Sequence, residues 1–230
     1  MAEIEVIGSE DRHLAASTIL LKSLGGKPFD QLMRQSFVQA YPKGRLIFRL
    51  GAQPEHLHVV LRGCVALTGH GAGDKSTVLE FLEPGDSFVL AAVVLGRPYL
   101  LSGCAATNTR ILHIPAERLR GLIGANHAFA LGALDSLALQ WRQFVSQITD
   151  LKLKSSAQRL GAYLLMLGKD GEVRLPGERQ LVAARLGMTP ESLSRAFARL
   201  KPLGVLGRGQ SIRIQDRGVL QSFCDGQEAE

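Results

Sequence analysis

Cysteine is scarce in this chain of 230 residues. Cys64, Cys104 and Cys224 lie far apart, and no Cys-x-x-Cys pair exists. A zinc knuckle or a sequence-local iron–sulfur site therefore has no support, which leaves buried reduced thiols as the reading. Long apolar runs are also missing: none reaches the roughly 18 residues that suggest a membrane span. The opening MAEIEVIGSEDRH is acidic and lacks the basic-then-apolar pattern of a secretory signal, so a cytoplasmic protein without membrane partners is expected. Nor is the chain short of hydrophobic residues, which make up 46% against 21% charged, a balance that fits a globular protein of one large or two modest domains.

Charge of one sign is concentrated in one place. Residues 1–150 hold 14 basic and 13 acidic side chains, a net of +1, whereas residues 151–230 hold 13 and 8, a net of +5. A local cationic excess is the electrostatic footprint that phosphate requires. Inside it lies RQLVAARLGMTPESLSRAFARLK, from Arg179 to Lys201. Two helices crossing steeply need a small residue at their contact, here Ala183. They need a turn residue that tolerates positive φ (Gly187) and an apolar plug on the second helix (Leu193). Val182, Leu186, Met188 and Ala196 fill the other inward places. Thr189 suits the N-cap, Pro190 the first helical position, and Glu191 the positive end of the helix dipole. The pattern predicts a DNA-reading helix-turn-helix.

The outward face of its second helix carries Glu191, Ser192, Ser194, Arg195 and Arg199. Near the N-terminus of a recognition helix such groups reach base edges. Arg195 matches O6 and N7 of a guanine, Glu191 the N4 amino group of a cytosine, and Ser194 a base or a phosphate. A carboxylate beside phosphates is costly, so Glu191 points to base reading rather than simple charge attraction.

Elsewhere the spacing of apolar residues organises the chain. LAASTILLKSL and PFDQLMRQSF predict short helices within residues 11–37. From about Ala40 to His113 the runs RLIFRL, HLHVVLRG, CVALTG, STVLEFL, DSFVLAAVVL and RILHI alternate with turn signals, which predicts an antiparallel roll or sandwich. Gly71, Gly73 and Asp74 mark a hairpin tip. A long helix is expected to end at Leu153, starting near Ala116 or Asn126. On it Leu134, Leu137, Trp141, Phe144, Ile148 and Leu151 step by 3, 4, 3, 4 and 3, the seam of a paired helix, while Leu131, Leu139 and Val145 are left to pack on the roll. The seam predicts a homodimer. A hinge at Lys152–Ser156, a helix capped by Ser155 or Ser156, the strand EVRL and a terminal hairpin tipped by Gly207, Arg208 and Gly209 complete the order. That hairpin is a wing, and Arg208 is a candidate phosphate contact. The fold class expected is α+β: a β-roll with N-terminal helices over residues 1–125, a dimerisation helix over 126–153 and a winged helix-turn-helix over 154–230.

This order of parts, together with FLEPGDSF, LKLKSSAQRLGAYLL and LGMTPESLSRAF, resembles the Crp–Fnr family of bacterial transcription regulators over about residues 20 to 220. The resemblance implies an effector-sensing roll of the cyclic-nucleotide-binding type, dimerisation through the long helix, an operator of double-stranded DNA and recruitment of RNA polymerase. Glu191, Ser194 and Arg195 match the E-x-x-S-R pattern of the Fnr-like branch, which implies TTGAT-type half-sites in an inverted repeat. Pro190 stands where the cyclic-AMP receptor branch has a base-reading arginine.

The sensing region departs from the best-known branches. Counted from Gly85-Asp86, the places of the ribose-binding glutamate and the phosphate-binding arginine hold Leu90 and Leu100, so cyclic AMP is not expected. The N-terminal cysteines of oxygen-sensing members are missing, which argues against their iron–sulfur cluster. What remains is an apolar pocket around FVLAAVVLGRPYLLSG, with Leu90, Tyr99 and Leu100 as lining candidates. It resembles the nitric-oxide-responsive denitrification regulators, whose pocket is thought to hold haem. A haem needs an axial ligand. His13, on an arm able to fold over the pocket, is the candidate, beside His56 and His58 on one strand face. Alternatives are a haem-based nitric oxide or carbon monoxide sensor, an effector-independent repressor and, from another class, a cupin-like metal enzyme. For the last, His56 and His58 alone are too few ligands.

Overall fold

The computed structural model describes residues 4–71, 76–168 and 171–226. The side chain of Arg208 and the expected hairpin tip at Gly73 and Asp74 lie outside the described residues. Two compact units make up the chain, one running to Ser76 and resuming over Glu80–Arg142, the other formed by Thr77–Leu79 with the chain from Gln143 onward.

Up to residue 115 the strands are β1 (Ile4–Glu5), β2 (Phe37–Tyr41), β3 (Leu46–Phe48), β4 (His56–Arg62), β5 (Val65–His70), β6 (Ser76–Leu82), β7 (Ser87–Phe88), β8 (Ser102–Ala105) and β9 (Thr109–Pro115). They form two sheets ordered β1-β2-β9-β4-β7 and β3-β8-β5-β6, the antiparallel roll that the spacing predicts. β4 explains the arrangement. Its sequence HLHVVLR does not alternate, because both faces are covered. Leu57, Val59 and Leu61 pack with Leu20, Leu119 and Phe129 of the helical layer, whereas Val60 packs with Phe48, Phe88 and Ile111 inside the roll.

The helical layer is α1 (Ser9–Ser17), α2 (Gly26–Arg34), α3 (Leu90–Leu95), α4 (Ala116–Ala125) and the start of α5 (His127–Leu153). The expected helix LAASTILLKSL is a correction: α1 stops at Ser17. The Thr18 hydroxyl donates to Ala15 O at 2.8 Å and accepts from Leu21 N at 3.2 Å. A hydroxyl that supplies local backbone partners competes with the helix ladder. Leu20, Leu21 and Leu24 are still buried, from turns. DSFVLAAVVL is a second correction, since only Ser87–Phe88 is strand and the rest forms α3. Between them Val89 is left-handed at φ 62°, the one non-glycine with positive φ among the described residues. Arg110 fastens the N-terminal elements to β9, donating from Nη1 to Asp11 Oδ1 and from Nε to Glu5 Oε2, each at 2.8 Å.

On α5 the stripe that packs on the first unit is Phe129, Gly132, Ala133 and Ser136, joined by Leu137 and by Gln140, whose Nε2 donates to Ser87 O. Leu131, Leu139 and Val145, expected to pack on the roll, are instead 49%, 49% and 44% exposed. The 3–4 spacing from Phe129 already fills the inward face, and those three positions fall off it.

The second unit holds α6 (Ser156–Leu167), β10 (Glu172–Arg174), α7 (Arg179–Arg185), α8 (Pro190–Leu200), β11 (Val205–Arg208), β12 (Ser211–Ile214) and α9 (Arg217–Cys224). Ser155 caps α6 reciprocally with Gln158. β10, β12 and β11 form one three-stranded sheet, so the wing hairpin gains a third strand. Its tip is Gly209 and Gln210, since Gly207 and Arg208 are still paired with Ile212 and Ser211. α9 was not visible in the pattern; it packs against α6, where Gly161 lies so close that a Cβ would stand 2.6 Å from Cys224 Sγ.

Gly103 shows how tight the roll interior is. A Cβ there would stand 2.3 Å from Cε1 of Phe48. Gly103→Ala is expected to lose about 1–3 kcal/mol in urea unfolding, the cost of overpacking a filled core. Adding Phe48→Leu should return part of the loss.

Candidate DNA-reading surface and the interior of the roll

Helix α8 starts as its sequence dictates. Thr189 Oγ1 accepts from Ser192 N at 3.2 Å, and Pro190 occupies the first turn. Gly187, at φ 62°, makes the turn from α7, and Val182, Ala183, Leu193, Ala196 and Leu200 are buried beneath it. This burial leaves Glu191, Ser194, Arg195 and Arg199 exposed, with Thr189 beside them and Ser192 half-buried. Arg195 Nη2 donates to Ser192 Oγ at 3.0 Å, which orients the guanidinium fork and leaves donors for a base. Ser194 Oγ donates to Pro190 O at 3.0 Å. The Glu191 carboxyl is held below its usual range by a backbone N–H, then by the Thr189 hydroxyl and by the Arg195 charge. It is thus a ready acceptor for an amino group.

Arg179 belongs to the same surface, and sequence reasoning missed it. Its guanidinium lies 4.5 Å over the Phe197 ring, and Nε donates to Gly209 O at 3.0 Å. One side chain thus ties α7, α8 and the tip of the wing together. No local pattern announces a contact across 30 residues.

The roll interior differs from the expected pocket. Leu90 and Tyr99 are buried, but Leu100 is 86% exposed. The cause is backbone pairing: Tyr99 N donates to Ala52 O at 3.0 Å and Tyr99 O accepts from Gly51 N at 2.8 Å. That pairing turns Tyr99 inward and its neighbour outward. Around Tyr99 the space is filled by Phe48, 4.4 Å away between ring centroids, and Phe48 in turn touches His58 and Phe88. These residues do not fit a haem. His13 sits on the exposed side of α1. Among the described residues no group of three or more His, Cys, Asp and Glu could hold a metal ion.

The histidines instead form part of a row of rings. Strand register sets Phe37 beside His113, His113 beside His58, and His58 beside Phe88, across four strands. Successive ring centroids are 4.7, 4.8 and 5.1 Å apart. His113 Nε2 shares a hydrogen bond with Tyr41 Oη at 3.2 Å. Both ring nitrogens of His58 are buried without a partner. Burial, and then His113 and His56, hold the His58 imidazole well below its ordinary value. Burial, then His56, pushes His113 down to about 3.

Residues 38–126 match the cyclic nucleotide-binding domain model, and residues 158–223 match the Crp-like helix-turn-helix domain model. A regulatory protein of Silicibacter pomeroyi DSS-3, described as cAMP-binding, is 32% identical, covers 96% of this chain and all of its own, and superposes with a TM-score of 0.67. The chain belongs to the Crp/Fnr family of transcription regulators. Two curated Crp/Fnr relatives agree. The nitrogen fixation regulation protein FixK of Azorhizobium caulinodans is 28% identical over 73% of this chain and 71% of its own. The transcriptional activator protein FnrA of Stutzerimonas stutzeri is 24% identical over 80% and 79%. This Crp/Fnr chain is a DNA-binding transcription regulator. Among the described residues no single helix is long and apolar enough to cross a membrane.

Acid should weaken the first unit through its histidine row. His58 and His113 resist protonation when folded but titrate near 6.5 when unfolded, so below that pH the unfolded chain takes up more protons. Stability is full above pH 6.5 and falls below it, by about 1.4 kcal/mol per pH unit for each histidine. Urea unfolding from pH 7 to 5 reads this slope. His58→Phe is expected to flatten it by about half, and a flat profile in the unaltered protein would contradict the assignment.

Proposed function

We propose that this regulator acts in the cytoplasm as a homodimer that activates transcription from an Fnr-like inverted repeat of TTGAT-type half-sites. The observation that carries the proposal is the exposed Glu191, Ser194 and Arg195 set on α8, with Arg195 aimed by Ser192. Arg195 reads a guanine, Glu191 accepts from a cytosine, and Ser194, Thr189 and Ser192 serve the same edge or its phosphates. Arg199 and the wing residue Arg208 supply phosphate charge. Activation is supported by FnrA, which bears that description, and it implies recruitment of RNA polymerase.

Dimerisation is supported by the apolar face of α5. Leu134, Trp141 and Ile148 are 62%, 68% and 54% exposed, one heptad apart, with Phe144 and Leu151 beside them. Exposed apolar area of that length calls for a cover. Leu137 leans on the roll's helical core instead, so Ala138 takes its place in the seam and allows close helix approach. Two recognition helices would then lie about 34 Å apart, one turn of DNA.

The effector acts through the roll and is not cyclic AMP. Leu90 is apolar and buried, Leu100 is exposed, and neither can neutralise a cyclic phosphate.

Binding to an inverted TTGAT repeat and to single-base variants tests base reading. Arg195→Ala should remove discrimination at one guanine of each half-site, about 1–3 kcal/mol per contact. Unchanged sequence preference would sink the assignment. Trp141→Glu should give monomers in sedimentation and lose most affinity for the full repeat while the chain stays folded.

A further inference from the structure

The second unit contains a cavity of about 500 Å³, walled by the last turns of α5 and by α6, α7 and α9. Its volume is in the range of small-ligand sites, roughly 300–1,000 Å³. The charge around it is one-sided: Lys154, Arg159, Arg185 and Arg217 line it against a single carboxylate, Asp150. Asp150 is occupied by Lys154, 2.9 Å away.

The arginines are held in place by the fold. Arg159 donates from Nε to Leu186 O at 3.0 Å and from Nη1 to Lys154 O at 2.8 Å. Arg217 donates to Leu165 O at 2.9 Å and to Gly168 O. These bonds engage two of the five donors on each guanidinium and fix its plane. Arg185 lies 5.4 Å over the Tyr163 ring, on the same wall. Preset guanidinium forks around a half-enclosed space, with more cationic than anionic side chains on its wall, match a phosphate group better than any neutral ligand.

We propose that this cavity binds a small phosphate-bearing anion. Arg159 gives the site a route to the helix-turn-helix, because its other partner, Leu186 O, is the residue just before the Gly187 turn. Leu151 reinforces that route, since it lies on the cavity wall and a Cβ on Gly187 would stand 2.7 Å from its Cδ2. An anion drawing on Arg159 therefore acts on the base of the recognition helix. That coupling rests on the DNA-reading function proposed above; the binding itself does not.

Calorimetric titration of the full chain with inorganic pyrophosphate, without DNA, is the test. One saturable site per chain is expected. Arg185→Gln and Lys154→Gln should each weaken it about tenfold, the loss of one charge-assisted hydrogen bond. Lys154→Gln keeps the backbone carbonyl that Arg159 uses, so it retains the fold, which circular dichroism checks. The double variant Arg195→Ala with Arg199→Ala should bind pyrophosphate as before. The absence of saturable binding overturns the proposal. So does binding that survives Arg185→Gln and Lys154→Gln but disappears with Arg195 and Arg199, since the phosphate then sits on α8. A further arm separates a free anion from the DNA backbone: Arg185→Gln should leave the salt dependence of DNA binding unchanged. A slope reduced by about one would mean that Arg185 holds a DNA phosphate, and the free-anion site falls. Pyrophosphate binding with no DNA binding under any condition would leave the site standing and remove the regulator reading.

Discussion

Strand β4 has no face turned to water, and much of the first unit follows from that constraint. Leu57, Val59 and Leu61 require a helical layer on one side, which Leu20, Leu119 and Phe129 supply. Val60 and His58 require a second sheet on the other side, where Phe48 and Phe88 meet them. A strand buried twice cannot slip by one residue, since a slip would exchange the two cores. Register is therefore fixed, and with it the alignment of Phe37, His113, His58 and Phe88. An imidazole with both nitrogens unpartnered is an expensive member of such a row. His58 thus makes the roll answer to protons, whatever else the roll senses.

The second unit is organised by charge and by small residues. Ala183 and Gly187 let α7 and α8 cross, and Gly161 lets α9 settle on α6. Arginines then work in two directions. Arg195 and Arg199 face outward from α8. Arg159, Arg179 and Arg217 donate to backbone carbonyls and hold turns, the wing tip and a helix end in place. The basic excess of residues 151–230 is accordingly as much a scaffold as a surface for phosphate.

Much of this was legible in the sequence where the signal is local. The helix-turn-helix could be read to the residue because caps, a left-handed glycine and helical spacing act over a few positions, as at Thr189, Pro190 and Gly187. The roll could be read as strands and turns. Its interior could not, because the ring row depends on register between four strands, and Leu100 faces out through pairing with residues 51 and 52. Period alone misjudged α5 as well: the roll claims Leu137 and rejects Leu131, a choice made by the packing of Phe129 and Ala133. Arg179 was hidden because its partners, Phe197 and Gly209, are near it only after folding.

Val89 carries a consequence of its own. A β-branched residue in the left-handed region is held there at a cost of about 1–3 kcal/mol. Its side chain packs against both cores of the first unit, so neither can loosen without freeing it. The junction of β7 and α3 is therefore a point that both cores share, and a change of side chain at Val89 would meet packing on both sides of the sheet.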